Sequence, residues 1–198
     1  MQHFLGIIAG HRSLTIYSVK DGDFRKTPKV LLALAQGVPI VTDKWLFDSA
    51  KATYFLAMSA YKLSAPKQEK QWKFKLDNVW GEPQTPFEGY SLHFTKSLKA
   101  IYNPFNEIEA VLKAAGAKSI TSGMKMKRTE DIIVLAQNEN DAEAGKLMQD
   151  GEVTCYHRDL ITYSILRGSL DLDSDEFKIQ ATAAVAPKEK KRKGRKDT

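Results

Sequence analysis

Two stretches of this chain pass through the same order of elements, and that recurrence constrains the fold more than any other feature. In the first, Leu14–Val19 reads as a strand, Lys29–Gln36 as a helix ended by Gly37, Val38–Val41 as a strand, and Trp45–Lys51 as a helix beginning near Asp43. In the second, Asp131–Ala136 reads as a buried strand, Asp141–Met148 as a helix, Val153–Tyr156 as a strand and Asp159–Leu166 as a helix. The second stretch is preceded by a strand at Tyr90–Thr95, a helix at Phe105–Ala115 and a strand at Ala117–Thr121. That helix carries Ile108, Val111 and Leu112 at helical spacing, with Asn106 as its cap and Gly116 as its stop. Strands alternating with helices require a parallel sheet covered on both faces. The expected class is therefore α/β, with two copies of one unit, each a small parallel four-stranded sheet flanked by helices. The first copy is short at its N-terminal end: His3–Ala9 reads as the end of a helix running into a strand. The first sheet then lacks a central strand, which would leave backbone edges unpaired.

Composition divides the chain further. Residues 1–64 form the first, incomplete unit and 87–180 the second, with 65–86 between them. The connecting stretch mixes Pro66, Pro83 and Pro86 with charge but holds Trp72, Phe74, Leu76, Val79 and Trp80, so it reads as an ordered linker lying across both units. Residues 181–198 turn from small residues to a dense basic run and are expected to be a disordered tail. Of 30 Lys and Arg, seven lie there (Lys188, Lys190, Lys191, Arg192, Lys193, Arg195, Lys196), and the net charge of +6 falls to +1 without the tail. The body hides an asymmetry: residues 1–64 carry 8 basic and 4 acidic groups, and residues 87–180 carry 11 and 15.

Several function classes lose support. No apolar stretch reaches the ~20 residues needed to span a bilayer, and no secretory leader is visible, so no membrane partner is expected. The lone Cys155 excludes an intramolecular disulfide and a multi-cysteine zinc site; it sits in a strand pattern and reads as a small buried hydrophobe. His3, His11, His93 and His157 show no metal spacing, and no glycine-rich phosphate loop or nucleophile elbow is present. No catalytic residue, cofactor or metal is assigned. The basic tail admits two compatible readings, a nuclear-import signal or a nonspecific, salt-sensitive contact with nucleic-acid phosphates. The first places the protein in the nucleus.

The run from Thr27 through Lys51, continuing to Tyr61-Lys62-Leu63, resembles the C-terminal half of a BRCT domain, with Trp45 and Ser49 supplying that family's W-x-x-x-S pattern. Residues 87–179, opening with Phe87-Glu88-Gly89-Tyr90 and holding Ala114-Ala115-Gly116-Ala117, resemble a complete second repeat in which Leu160 takes the tryptophan position. The linker and the last helix look most similar to the C-terminal pair of fungal multi-BRCT DNA-damage scaffolds of the mediator of DNA damage checkpoint type. This resemblance implies a nuclear scaffold that binds phosphoserine peptides, among them a phosphorylated histone tail, in the DNA damage response and DNA repair. The alternative is a BRCT module that binds without phosphate, or a chromatin or DNA binder using the tail.

Site residues follow from the same resemblance. In Lys26-Thr27-Pro28-Lys29, Lys29 matches the phosphate ligand, Thr27 the motif threonine, and Lys26 stands where arginine is usual. Elementary chemistry agrees: a helix N-terminus presents unpaired N–H groups, proline is tolerated there, and a lysine adds a point charge for a phosphate of about −2. Lysine at 26 keeps the charge but loses the planar fork that grips a carboxylate at two points. A pocket for the third residue beyond the phosphoserine would involve Leu31, Asn103 and Thr162. The hydroxyl and glycine amide that complete the family's phosphate cradle have no counterpart in this sequence.

Overall fold

The computed structural model describes residues 3–9, 12–123, 130–149 and 153–180. The tail, with its candidate import residues, lies outside them. The first sheet contains β1 (His3–Ala9), β2 (Arg12–Val19) and β3 (Ile40–Thr42) in the order β1-β2-β3, with β2 and β3 parallel. Helix α1 (Pro28–Ala35) connects β2 to β3, and α2 (Lys44–Ala52) follows β3. A 3₁₀ turn (Met58–Tyr61), α3 (Pro66–Trp72) and α4 (Leu76–Val79) lead to the second sheet.

That second sheet holds β4 (Ser91–Phe94), β5 (Ser119–Ser122), β6 (Ile132–Ala136) and β7 (Cys155–His157), all parallel and ordered β5-β4-β6-β7. Helices α5 (Lys96–Ile101) and α6 (Phe105–Ala114) join β4 to β5, α7 (Ala142–Gln149) joins β6 to β7, and α8 (Asp159–Arg167) follows β7. The expected four-stranded parallel sheet is present here.

The first sheet differs from expectation at its start. His3–Ala9 is a strand, not the end of a helix, and pairs antiparallel with β2 from His3 opposite Ser18 to Ala9 opposite Arg12. The run Phe4-Leu5-Gly6-Ile7-Ile8 suits a strand, and its pairing satisfies the β2 edge that the sequence reading left open. A smaller difference concerns α6, which begins at Phe105 after Pro104, so Asn106 lies inside the helix and does not cap it.

Side-chain alternation sorts the helices onto faces. In the second sheet Ile133, Leu135 and Tyr156 point into one cluster with Ile108, Val111 and Leu112 of α6 and Leu160, Ile161 and Ile165 of α8. Val134, Ala136 and Cys155 point the other way, against α7. In the first sheet Tyr17, Val19 and Ile40 meet α1, while Ile16 and Val41 meet Trp45 of α2. Helix α1 packs on α6 and α8, so one buried cluster runs from the first sheet through α1 into the second. The linker is tied to both sides: Trp80 Nε1 donates to the Ile40 carbonyl at 2.8 Å and Gln84 N to Ala35 at 3.1 Å, while Leu76 and Val79 of α4 pack in the shared core beside α8.

Candidate functional site

The loop entering α1 is pinned by Phe24, which is buried and stacks near Phe74 (5.7 Å between centroids) and Trp72 (5.8 Å) of the linker. Thr27 is the N-cap of α1; its backbone is extended and its Oγ1 accepts from the Val30 N–H at 3.3 Å. The same hydroxyl is hydrogen-bonded to the buried Tyr17, whose phenol is pushed up by burial and partly drawn back by Thr27. Pro28 occupies the first helical position, where its missing N–H costs nothing. Lys29 follows, exposed to solvent and without a hydrogen-bond or ion-pair partner among the described residues, and no acidic side chain sits in the first turn of α1. The positive end of the helix and the Lys29 ammonium thus face solvent together.

Lys26 is placed differently. Its Nζ lies 4.8 Å from the centroid of Trp72 and 4.6 Å from that of Tyr163, and donates to Tyr163 Oη at 3.3 Å. Arg167 takes another position on Tyr163, 5.0 Å from its centroid, lies 5.6 Å from Phe177, and grips Glu176 with both terminal nitrogens at 2.8 and 2.9 Å. Trp72, Lys26, Tyr163, Arg167 and Phe177 therefore form a ladder of alternating rings and cations that joins linker, first unit and second unit. Beside it lies a cleft of about 630 Å³ lined by Lys70, Lys73, Phe74, Lys75 and Arg167 among others.

The three specificity-pocket positions are not equivalent. Leu31 is 4% exposed and belongs to the core shared by both units. Asn103 is exposed just before α6, and Thr162 is half-buried on α8, adjacent to Tyr163. The fold brings α1, α6 and α8 together, and with them the segments carrying these residues. Sequence reading missed Tyr163 and Arg167. Their spacing of four on a helix, an aromatic followed by a cation, was the available signal.

No protein-family profile matches the chain. In sequence it is similar to the DNA damage response protein Mdb1 of Schizosaccharomyces pombe, 33% identical over 161 residues. That alignment takes in 80% of this chain and 25% of the relative, so the chain spans a quarter of the relative's length. In structure it is similar to the BRCT5-BRCT6 domains of S. pombe Brc1, with a TM-score of 0.66 and 16% identity over 78% of this chain and 79% of that one. The chain has the fold of a tandem BRCT pair. A second BRCT-fold neighbour is Rtt107p, solved in complex with a phosphorylated histone, with a TM-score of 0.58, 14% identity, and coverage of 82% and 75%.

Within this BRCT pair, the tryptophan pattern has a visible purpose. Trp45 is fully buried, its Nε1 donates to the Leu56 carbonyl at 2.8 Å, and Ser49 Oγ accepts from the Leu56 N–H at 3.2 Å. Both residues fasten the chain leaving α2 back onto the helix. In the second BRCT repeat Leu160 takes the matching position, fully buried in the shared core.

Proposed function

We propose that this BRCT pair binds a phosphoserine peptide at the N-terminus of α1, as a nuclear interaction scaffold in the DNA damage response and DNA repair. The observation that carries the reading is Lys29, exposed and unpartnered among the described residues at a capped helix start with no acidic neighbour in its turn. A phosphate there gains the helix dipole and a charge-assisted contact. Thr27 shapes the site through its cap. Lys26 adds a second positive charge from its aromatic sandwich, while Asn103 and Thr162 stand as the pocket for the residue three beyond the phosphate; Leu31, buried in the core shared by both units, does not line it. The name of the Mdb1 relative supports a place in the DNA damage response, and the phosphorylated histone bound to the Rtt107p neighbour supports a phosphorylated partner, a histone tail among the candidates. The division into 1–64, 65–86, 87–180 and 181–198, with residues 188–196 as import signal, belongs to the same proposal.

The test is a titration of a phosphoserine peptide from a histone tail, and its unphosphorylated twin, into the intact chain and Lys29→Met. The phosphopeptide should bind the wild type at least tenfold more tightly than the twin does, and K29M should lose that preference, since a charged hydrogen bond contributes ~1.5–3 kcal/mol. Equal affinity for the twins would end the phospho-reader reading. Tail-dependent binding of DNA with neither peptide bound would favour a chromatin or DNA binder.

A further inference from the structure

The linker concentrates positive charge around one turn. From Lys67 to Lys75 it carries Lys67, Lys70, Lys73 and Lys75 against Glu69 alone. Lys73 ends α3 in the left-handed region (φ 52°), a position that favours glycine, and the reversal there returns Lys75 to Glu69 at 3.3 Å. The cleft of about 630 Å³ beside this turn therefore has four cations on its walls, Lys70, Lys73, Lys75 and Arg167, against the one carboxylate of Glu69. Two of the four are already committed, Lys75 to Glu69 and Arg167 to Glu176. Lys70 and Lys73 are exposed and have no ion pair or hydrogen bond among the described residues, Lys73 acting on Glu176 only at longer range. Their two charges are left for a ligand.

The cleft adjoins the path of a peptide seated at α1. Lys26 and Arg167 share the ring of Tyr163, at 4.6 and 5.0 Å from its centroid. Thr162, placed at the specificity pocket, precedes Arg167 on α8 by ~7.5 Å along the helix axis. A peptide whose third residue beyond the phosphoserine lies at Thr162 and which continues along α8 reaches the cleft after about two or three extended residues. Lys26 lacks the fork that would favour a ligand ending there, and its ammonium is held between Trp72 and Tyr163.

We propose that the cleft binds acidic side chains of the same phosphopeptide, about four to seven residues beyond its phosphoserine. The preferred partner then carries an internal phosphoserine followed by an acidic stretch. This inference rests on the phosphoserine site at α1. Once the phosphate is seated, the acidic stretch meets Lys70 and Lys73 as an intramolecular event, and its effect is selectivity among phosphopeptides. A lysine at position 73 keeps an ammonium on the cleft wall at a conformational cost that glycine would avoid.

The experiment titrates fluorescein-labelled peptides into the intact chain by fluorescence polarisation. One carries phosphoserine with glutamates at the fifth to seventh positions beyond it, the second has glutamines there, and the third has the glutamates without the phosphate. The glutamate phosphopeptide should bind the wild type about fivefold more tightly than its glutamine twin, through two added exposed ion pairs. Lys70→Gln combined with Lys73→Gly should erase that difference and leave the affinity for the glutamine phosphopeptide unchanged; glycine suits the left-handed position, so the variant should melt as the wild type does. Equal affinity of the wild type for both phosphopeptides, with the unphosphorylated peptide bound more weakly, overturns the cleft and leaves the phosphate site standing. Equal binding of the glutamate peptide with and without phosphate ends the phosphate reading and this inference together. A glutamate preference retained by the double variant also overturns the cleft, as does DNA binding that depends on Lys70 and Lys73 in the absence of any glutamate preference.

Discussion

A lysine can act through its charge or through what its stem and ammonium touch, and Lys26 and Lys29 divide those roles three residues apart. Lys29 extends into solvent at the start of α1, whereas Lys26 is held between Trp72 and Tyr163. Exposed cation–π contacts contribute ~0.5–1 kcal/mol each. Lys26→Met should therefore lower stability to urea by about 1 kcal/mol, and Lys26→Arg, which stacks on rings at least as well, should restore most of it. An unchanged midpoint in K26M would mean the ladder holds nothing. The pattern Lys-Thr-Pro-Lys was legible as a phosphate motif, but the division of labour was not. It depends on Tyr163, 137 residues away in sequence, and no local pattern reports such a neighbour.

Among the elements, α7 owes its position to one carboxylate. Asp141, 6% exposed, accepts from Thr95 Oγ1 at 2.7 Å, from Ser97 Oγ, and from the amides of Gln137, Glu143 and Ala144. Burial alone would raise its pKa; the hydrogen bonds from Ser97, Thr95, Ala144 and Gln137 outweigh it and hold the carboxyl below its ordinary 3.8. The stability it contributes is complete above pH 3.8 and is lost as pH falls through the depressed folded value. On neighbouring β4, His93 is 1% exposed, and burial pushes its pKa below 6.5 despite Glu143 Oε1 at 3.9 Å from Nε2. Below pH 6.5 the unfolded chain takes up a proton that the folded chain refuses, so stability also falls there with acidification. Melting temperature should thus decline in two stages, first below about pH 6.5 and again below about pH 3.8. Asp141→Asn should cost ~1–3 kcal/mol at pH 7 and shrink the second stage, to which the carboxyls of Asp48, Asp171 and Glu176, also held below their ordinary values by hydrogen bonds, contribute; a second stage of unchanged size would assign it to those carboxylates alone.

The repeating elements were legible because helices and strands of this size carry their period in consecutive residues. Short α5 was not, since six residues between Thr95 and Tyr102 hold too few apolar positions to show a period. The strand β1 was misread for a related reason: a short apolar run fits a strand or a helix equally until its partner is known.

For the whole molecule, the decisive feature is that the main core crosses from one BRCT repeat to the other. Tyr17 and Leu34 share a buried cluster with Leu112, Ile161 and Phe177. Such continuity predicts a single cooperative transition. Cys155 offers a probe far from Trp45: its thiol is fully buried and pushed up to about 12, mainly by desolvation, so it reacts only on opening. In urea, the loss of tryptophan fluorescence and the onset of Cys155 alkylation should share one midpoint. Two separated midpoints would show repeats that unfold independently.

By itself, the sequence determined the α/β class, the duplicated unit, the Trp45–Ser49 pattern and the lysine motif, because each is written in residues close along the chain. The antiparallel partner of β2 and the Lys26 ladder were decided only in three dimensions. Each depends on which surfaces meet after the chain has folded back on itself, and a linear pattern carries no record of that distance.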